Sequence, residues 1–381
     1  MVERLEHIIE KEADRVEWEQ LLQRSGIRQE PPYDAIYGIY GDGRLIATGA
    51  REGSRLKCIA IDNAYQGGTL FNVLLSRMIR DTSEASIERL FVYTKPAAAI
   101  AFESLGFRRI VDVPGVASFL ERGTPNFDNI LQKWLDETDA FLNQQSNCNG
   151  SVLNSQDIQR DVALPFSLSV HKSYNTARYK DPEDNTVESI LMNANPFTLG
   201  HRALVENALT RAPIVHLFVL SEDVSLFPAH IRLRLVREGT SDLPGVIIHT
   251  TDAYMISRAS FPSYFLKKKT DATSVQAELD ATLFRDKIAP ALSITNRTVG
   301  EEPIDPVTAL YNETLMSTLG KKINLTIVPR AKTRKDTIIS ASRVRELFLE
   351  GDLAGLRPYV PETTYRFLVS CEGQAILKRH L

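Results

Sequence analysis

The chain has 381 residues, 43% hydrophobic and 24% charged, with a formal net charge of −3. That length predicts two domains rather than one core, and the near-neutral charge gives no electrostatic basis for binding nucleic acid or an anionic membrane. Cys58, Cys148 and Cys371 are scattered and odd in number, the opening MVERLEHIIEKEADRVEWEQ is charged throughout, and no apolar run approaches a membrane span, so a disulfide framework, a structural zinc site, a signal peptide and a membrane helix are not expected and a cytoplasmic location is.

The first segment, residues 1–122, opens with a helix expected over Trp18–Arg24. Ala35–Tyr40 and Leu45–Ala50 flank a Gly/Asp turn and read as a hairpin, with Leu56–Ile61 as a third strand. A helix follows over Leu70–Ile79, then a strand at Leu90–Tyr93, a helix at Pro96–Leu105 ended by Gly106, and a strand at Phe107–Val111. Gln66-Gly67-Gly68-Thr69-Leu70 and LFVYTKPAAAIAFESLGF (from Leu90) carry a resemblance to the GNAT acetyltransferase fold, an α+β arrangement. That family places Q/R-x-x-G-x-G/A where acetyl-CoA pyrophosphate binds. Here Thr69 and Phe71 stand at the two small-residue positions, crowding the backbone that should meet phosphate. No tight acetyl-CoA binding is expected of this domain.

Residues 123–185 form a linker with a helix expected over Phe127–Asn143, followed by the polar stretch NQQSNCNGSVLNSQ and, from His171, the exposed stretch HKSYNTARYKDPEDN. In residues 186–381, short apolar runs at Val187–Met192, Ile214–Leu220, Val246–Thr250, Ile294–Val299 and Asn324–Val328 alternate with amphipathic stretches at His201–Leu209, His230–Glu238, Ser274–Ile288, Pro306–Leu319 and Ser340–Leu349. This alternation predicts a doubly wound, Rossmann-like parallel sheet with helices on both faces. Ligands of such sheets sit beyond the carboxyl ends of the strands.

Two loops there have the chemistry for phosphate. Asn193–His201, NANPFTLGH, links the first strand to a helix. Thr198 can cap that helix, Gly200 permits close approach of backbone, and His201 on the first turn can donate to a phosphate oxygen. Ile339–Arg345, ISASRVR, opens another helix; Ser340 and Ser342 can cap it, and Arg345 adds a cation. As a phosphate-facing side chain, His201 is expected to matter little for folding. Arg232, Arg234 and Arg237 read as a solvated helix face.

Together these motifs resemble the nucleotidyltransferase superfamily with T/H-x-G-H and I-S-S-T-x-x-R signatures. NANPFTLGHRALVE, SRASFPSYFLKK (from Ser257), TNRTVGEEPIDPVTALYNETL (from Thr295) and IISASRVREL look most like citrate lyase ligase, a family that also carries a GNAT-like N-terminal domain. The resemblance implies an acid–thiol ligase: ATP, acetate and the thiol form of citrate lyase yield AMP, pyrophosphate and the acetylated lyase through acetyl-AMP. The implied partners are acetate and the acyl carrier subunit with its phosphopantetheine-like thiol, and Mg²⁺ is expected on the phosphates. His201 and Arg345 are the implied catalytic residues. Asn193, Thr198, Gly200, His201, Arg297, Ser340, Ser342 and Arg345 are the implied nucleotide-binding set, with no metal ligand among them. Glu301 and Glu302 could orient ribose or cap a turn; Phe261, Tyr264 and Lys267 could line an entrance or pack. An adenylyltransferase acting on phosphopantetheine, or a non-catalytic nucleotide-binding or GNAT-type protein, would share parts of this pattern.

Overall fold

The computed structural model describes residues 5–8, 12–148, 186–223, 225–255, 264, 266, 272–301 and 306–380. The polar stretch beyond Cys148, HKSYNTARYKDPEDN, Phe261, Lys267 and Glu302 lie outside the described residues. Residue contacts divide the chain into two compact units. The first comprises Met1–Leu131, Ile256–Phe284 and Asp305–Thr318; the second comprises Gln132–Met255, Arg285–Ile304 and Leu319–Leu381.

The elements begin with β1 (Leu5–Ile8), α1 (Glu12–Arg24), β2 (Ala35–Gly41), β3 (Arg44–Glu52) and β4 (Arg55–Ile61). Then come α2 (Leu70–Glu84), β5 (Arg89–Thr94), α3 (Pro96–Glu103), β6 (Arg108–Val113), β7 (Ala117–Gly123) and α4 (Phe127–Cys148). After residue 185 follow β8 (Val187–Met192), α5 (Leu199–Leu209), β9 (Ile214–Val219), α6 (Ala229–Gly239), β10 (Val246–Thr250) and α7 (Ala272–Leu283), which runs on through a π-helical turn at Phe284–Ile288. The chain continues with α8 (Ala289–Ala291), β11 (Asn296–Gly300), α9 (Pro306–Leu319), β12 (Asn324–Val328), α10 (Ala341–Leu349), α11 (Glu362–Val369) and α12 (Cys371–His380). The expected strands and helices are present with ends shifted by a few residues, while β1, β7, α8, α11 and α12 were not expected from the sequence.

The first unit is built around a seven-stranded sheet in the order β1-β2-β3-β4-β5-β7-β6. All its pairings are antiparallel except β4 with β5. Alternation puts Tyr37, Ile39, Leu56, Leu90, Val92 and Leu120 into one core, which α2 closes with Leu70, Leu74, Leu75 and Met78. A Cβ at Gly49 would stand 2.7 Å from Met78 Sδ, so glycine is what lets α2 lie so close to β3. Phe71 packs edge-on against Phe102, ring centroids 5.0 Å apart. The parallel pairing of β4 with β5 is limited to Arg55 with Phe91 and Leu56 with Val92. Where it stops, the buried Tyr264 hydroxyl donates to the Tyr93 carbonyl at 2.6 Å and lies 3.5 Å from that of Leu56. α7 covers β6 and β7, burying Val275, Leu279 and Leu283.

The second unit is built on a five-stranded sheet in the order β10-β9-β8-β11-β12, parallel throughout. Successive connections leave β8 in opposite directions, so the order reverses between β8 and β11. That reversal opens a crevice at the carboxyl ends, the usual ligand position in open α/β sheets. One face carries Ile190, Met192, Val215, Leu217 and Val219, packed against Val205, Ile231, Leu235, Val344, Phe348, Phe367 and Leu368 from α5, α6, α10 and α11. On the other face Trp134 of α4 meets the Phe218 ring edge-on at 5.3 Å, and its Nε1 donates to the Thr250 carbonyl. The sheet is thus covered on both sides, as an all-parallel sheet requires, and the polar residues within its strands, such as Glu188, His216 and Arg297, are buried with it.

Candidate functional site: two helix starts at the reversal point

β8 delivers the chain to Asn193 at its carboxyl end. Arg232, from α6, is fully buried and holds this loop in place. Its Nη1 donates to the Asn193 carbonyl and Asn193 Oδ1, both at 2.8 Å, and to the Leu220 carbonyl at 2.7 Å. Its Nε donates to the Phe227 carbonyl at 3.0 Å and its Nη2 to the Glu222 carbonyl. A charge this deep needs acceptors on most of its N–H groups, and five oxygens supply them. Arg232 therefore departs from the solvated face read for it, while Arg237 is exposed; one buried arginine inside a basic amphipathic stretch leaves no periodic signal. Asn195 Oδ1 takes the Phe227 N–H at 3.1 Å, tying the same two loops a second time.

α5 then starts with reciprocal capping. Thr198 Oγ1 accepts from the His201 N–H at 3.3 Å, and His201 Nδ1 accepts from the Thr198 N–H at 3.0 Å. The backbone can only donate, so Nδ1 carries the lone pair and the neutral ring keeps its proton on Nε2. Burial, and secondarily the charge of Arg330, push the His201 imidazole down to about 4. The ring lies nearly parallel to Phe197, centroids 5.8 Å apart, and Phe197 in turn lies on Gly239, where a Cβ would stand 2.5 Å from the Phe197 ring. Of the first-turn donors, the Leu199 N–H goes to the Tyr359 carbonyl. Among the described residues no acceptor is seen for the Gly200 N–H.

α10 begins beside it. Ser340 Oγ accepts from the Arg343 N–H at 3.2 Å. A Cβ placed on Gly200 would come within 3.2 Å of the Ile339 carbonyl, so the starts of α5 and α10 touch, and glycine is what permits it. Arg345, half-buried, donates from Nη1 to the Asn195 carbonyl at 2.8 Å and from Nη2 to Ser342 Oγ at 3.0 Å. Thr198, Gly200, His201, Ser340, Ser342 and Arg345 therefore gather around two adjoining helix N-termini, with their positive dipole ends together, while Asn193 is bonded instead to Arg232 and Ser225.

Arg297 stands apart. It is the second residue of β11, 2% exposed, in register with Ser189, which is itself in register with His216. It lies three residues, about 10 Å, before the carboxyl end of its strand. Glu301 caps that end: its N–H donates to the Val328 carbonyl at 2.7 Å and its carbonyl accepts from Arg330 Nε at 3.0 Å. Arg330 escaped the sequence reading. The signal for it was present in the basic run PRAKTRK between the last strand and the ISASR motif. Tyr264, read as a possible entrance residue, is buried in the first unit.

The geometry can neutralise and orient a polyanion through helix N–H groups, a neutral imidazole N–H and an arginine. Among the described residues no group of three His, Cys, Asp or Glu side chains is placed to hold a metal ion, and no helix is long and apolar enough to cross a membrane.

The family described as citrate lyase ligase C-terminal domain matches residues 187–368. The chain is 34% identical over 330 residues to a citrate (pro-3S)-lyase ligase of Klebsiella pneumoniae, covering 86% of this chain and 84% of that one. It is 31% identical over 355 residues to the Escherichia coli ligase of the same name, covering 92% and 88%, and 33% identical over 342 residues to that of Haemophilus influenzae, covering 88% and 89%. Among solved structures, an N-acyl amino acid synthase from uncultured soil microbes aligns at 11% identity with 33% of this chain and 93% of that one, TM-score 0.30.

Proposed function

The chain belongs to the citrate lyase ligase family, and from that premise we propose that it is an acid–thiol ligase that uses ATP and acetate to acetylate the thiol of a citrate lyase acyl carrier subunit. In the first half-reaction an acetate oxygen attacks the α-phosphorus of ATP. The bond to the bridging oxygen breaks, and pyrophosphate leaves with the electron pair. In the second, the carrier thiolate attacks the acetyl carbonyl of acetyl-AMP, the acyl C–O bond breaks, and AMP departs; the thiol proton goes to solvent.

Both reactants of the first step are anions, and negative charge grows on the bridging oxygen and around phosphorus. What the site must supply is therefore fixed donors and positive potential. The abutting starts of α5 and α10, with His201 on the first turn of α5, support this reading above any other observation. In it, the Gly200 N–H and His201 Nε2–H meet the α-phosphate region. Ser340, Ser342 and Arg345 hold the distal phosphates. Thr198 fixes the imidazole, and Asn193 fixes the loop from which the acetate approaches. Arg297 serves the sheet. Mg²⁺ enters as part of the ATP complex, offsetting phosphate charge. The same reading places the reaction in the cytoplasm.

The test is product formation. Pyrophosphate and AMP should appear together only when ATP, Mg²⁺, acetate and thiol-form carrier are all supplied. Transfer of AMP to phosphopantetheine without acetate would replace this reading by that of an adenylyltransferase.

A further inference from the structure

Between Asn193 and Asn195 the backbone turns at Ala194 with a φ of 49°, in the left-handed region that a Cβ disfavours. Glycine takes that conformation freely, and asparagine or aspartate takes it with help from side-chain hydrogen bonds. Alanine has neither means, and such a turn persists only where its surroundings hold it. Both neighbours of Ala194 are held. Before it, the Asn193 carbonyl and Oδ1 accept from Arg232 Nη1 at 2.8 Å, and Asn193 Nδ2 donates to Ser225 Oγ at 3.2 Å. After it, Asn195 Oδ1 accepts from the Phe227 N–H at 3.1 Å. The Ala194 methyl is buried and belongs to the apolar core that contains Phe197 and Phe227.

One residue beyond the turn, the Asn195 carbonyl takes Arg345 Nη1 at 2.8 Å, while Arg345 Nη2 donates to Ser342 Oγ at 3.0 Å. A carbonyl from the loop after β8 and a hydroxyl from the first turn of α10 thus hold the two arms of one guanidinium. That fixes the plane of the fork without exhausting its donors. A free arginine side chain must give up several rotamers to bind an anion, and docking it beforehand removes that loss from the binding step. The carbonyl that docks it is only as well defined as the turn that precedes it.

We propose that Ala194 is a positioning residue of the ligase reaction. Its left-handed turn, held by Arg232 and the Phe227 N–H, sets the Asn195 carbonyl on which Arg345 docks, so that the guanidinium meets the phosphates of ATP already oriented. This rests on the reading of the site as one that activates acetate with ATP, with Arg345 at the distal phosphates. Alanine rather than glycine is part of the device. Glycine would relieve the turn, but it lacks the Cβ that confines φ and ψ and the methyl that anchors the turn in the core. The folded state would lose strain, and the guanidinium would lose its fixed dock. Stability and turnover therefore part company at this position.

Inorganic pyrophosphate with Mg²⁺ is the probe, because it reports on the docked Arg345 without acetate or carrier. In A194G its affinity should fall on the order of tenfold and kcat on the order of ten- to a hundredfold, the loss that a misplaced group brings. KM for acetate should rise less than kcat falls. The melting temperature should move by no more than about 4 °C, since relief of the turn offsets loss of the methyl. A194S keeps the Cβ and should return most of the affinity. A double-mutant cycle identifies the route: R345Q should weaken pyrophosphate at least as much, and A194G added to R345Q should weaken it no further. Unchanged pyrophosphate affinity in A194G, or losses that add to those of R345Q, overturns the proposal while leaving acetate-dependent turnover of the wild type intact. Should A194G fail to fold, the wild type decides: the Arg345 Nη protons should give separate NMR signals before pyrophosphate is added, and signals averaged by free rotation overturn the proposal. Wild-type pyrophosphate affinity in R345Q would instead remove Arg345 from the distal phosphates, sinking that reading of the site and the proposal with it.

Discussion

His201 has two tasks on one ring. Nδ1 closes the start of α5 by accepting the Thr198 N–H at 3.0 Å, and Nε2 carries the only proton the neutral ring offers to a ligand. The two tasks make separable predictions. His201→Ala should reduce kcat by on the order of 10² to 10³, the loss seen when one transition-state donor is removed, with a smaller effect on ATP affinity. It should also cost about 1 kcal/mol of stability, as loss of a cap does, so the expectation that folding would be indifferent to this residue is revised. His201→Asn should return part of both. The ring's pKa is lowered in the folded state to about 4 from 6.5, so the unfolded chain binds its proton first as pH falls. Stability attributable to His201 is therefore complete above about 6.5 and is lost between there and about 4. Turnover should show no acid limb near 6.5 from this group. Denaturant titrations and kcat across that pH window check both; a near-normal kcat in the Ala variant would reduce the motif to a helix cap.

Elements and their order were the most legible part of the sequence. A buried parallel strand is a short apolar run, and a capped loop such as NANPFTLGH announces the helix after it; β8, β10, α9 and β12 have the ends read from sequence alone. The grouping of side chains around the two helix starts was legible because both motifs are local, each built within a few residues of a helix start. What escaped depends on distance in the chain. Arg232 bonds to Asn193 across 39 positions, and nothing in its own helix marks it as buried. Arg297 sits at a strand's start and not beyond its end, because the strand begins two residues later than its apolar run. In the first unit, Thr69 and Phe71 were the sequence grounds for expecting no acetyl-CoA. The structure adds another: β4 and β5 separate after two residue pairs, and the buried Tyr264 hydroxyl donates to the Tyr93 carbonyl there. A ligand amide seeking that acceptor would have to displace a buried tyrosine. Calorimetric titration of the whole protein with acetyl-CoA should show no binding at micromolar concentrations, and a micromolar Kd would refute this.

At the scale of the whole molecule, the first unit is not a stretch of sequence. Its sheet is finished by Gly123, yet α7, which covers β6 and β7, is supplied by residues 272–283. The sequence hid this because a helix read in isolation shows an apolar face without showing whose sheet it fits. A fragment ending at Leu131 would leave uncovered the surface on which Val275, Leu279 and Leu283 are buried. Such a fragment should bind an apolar dye and self-associate more than the full chain does; a monomeric fragment with a cooperative melt would contradict this. The same feature has a consequence during synthesis. Domains ordinarily fold as they leave the ribosome, amino end first, while translation adds about 5–20 residues per second. Here the interval from 131 to 283 corresponds to about 8–30 s at that rate, in which the nascent sheet waits for its cover, and chaperones that bind exposed apolar surface have that long to find it.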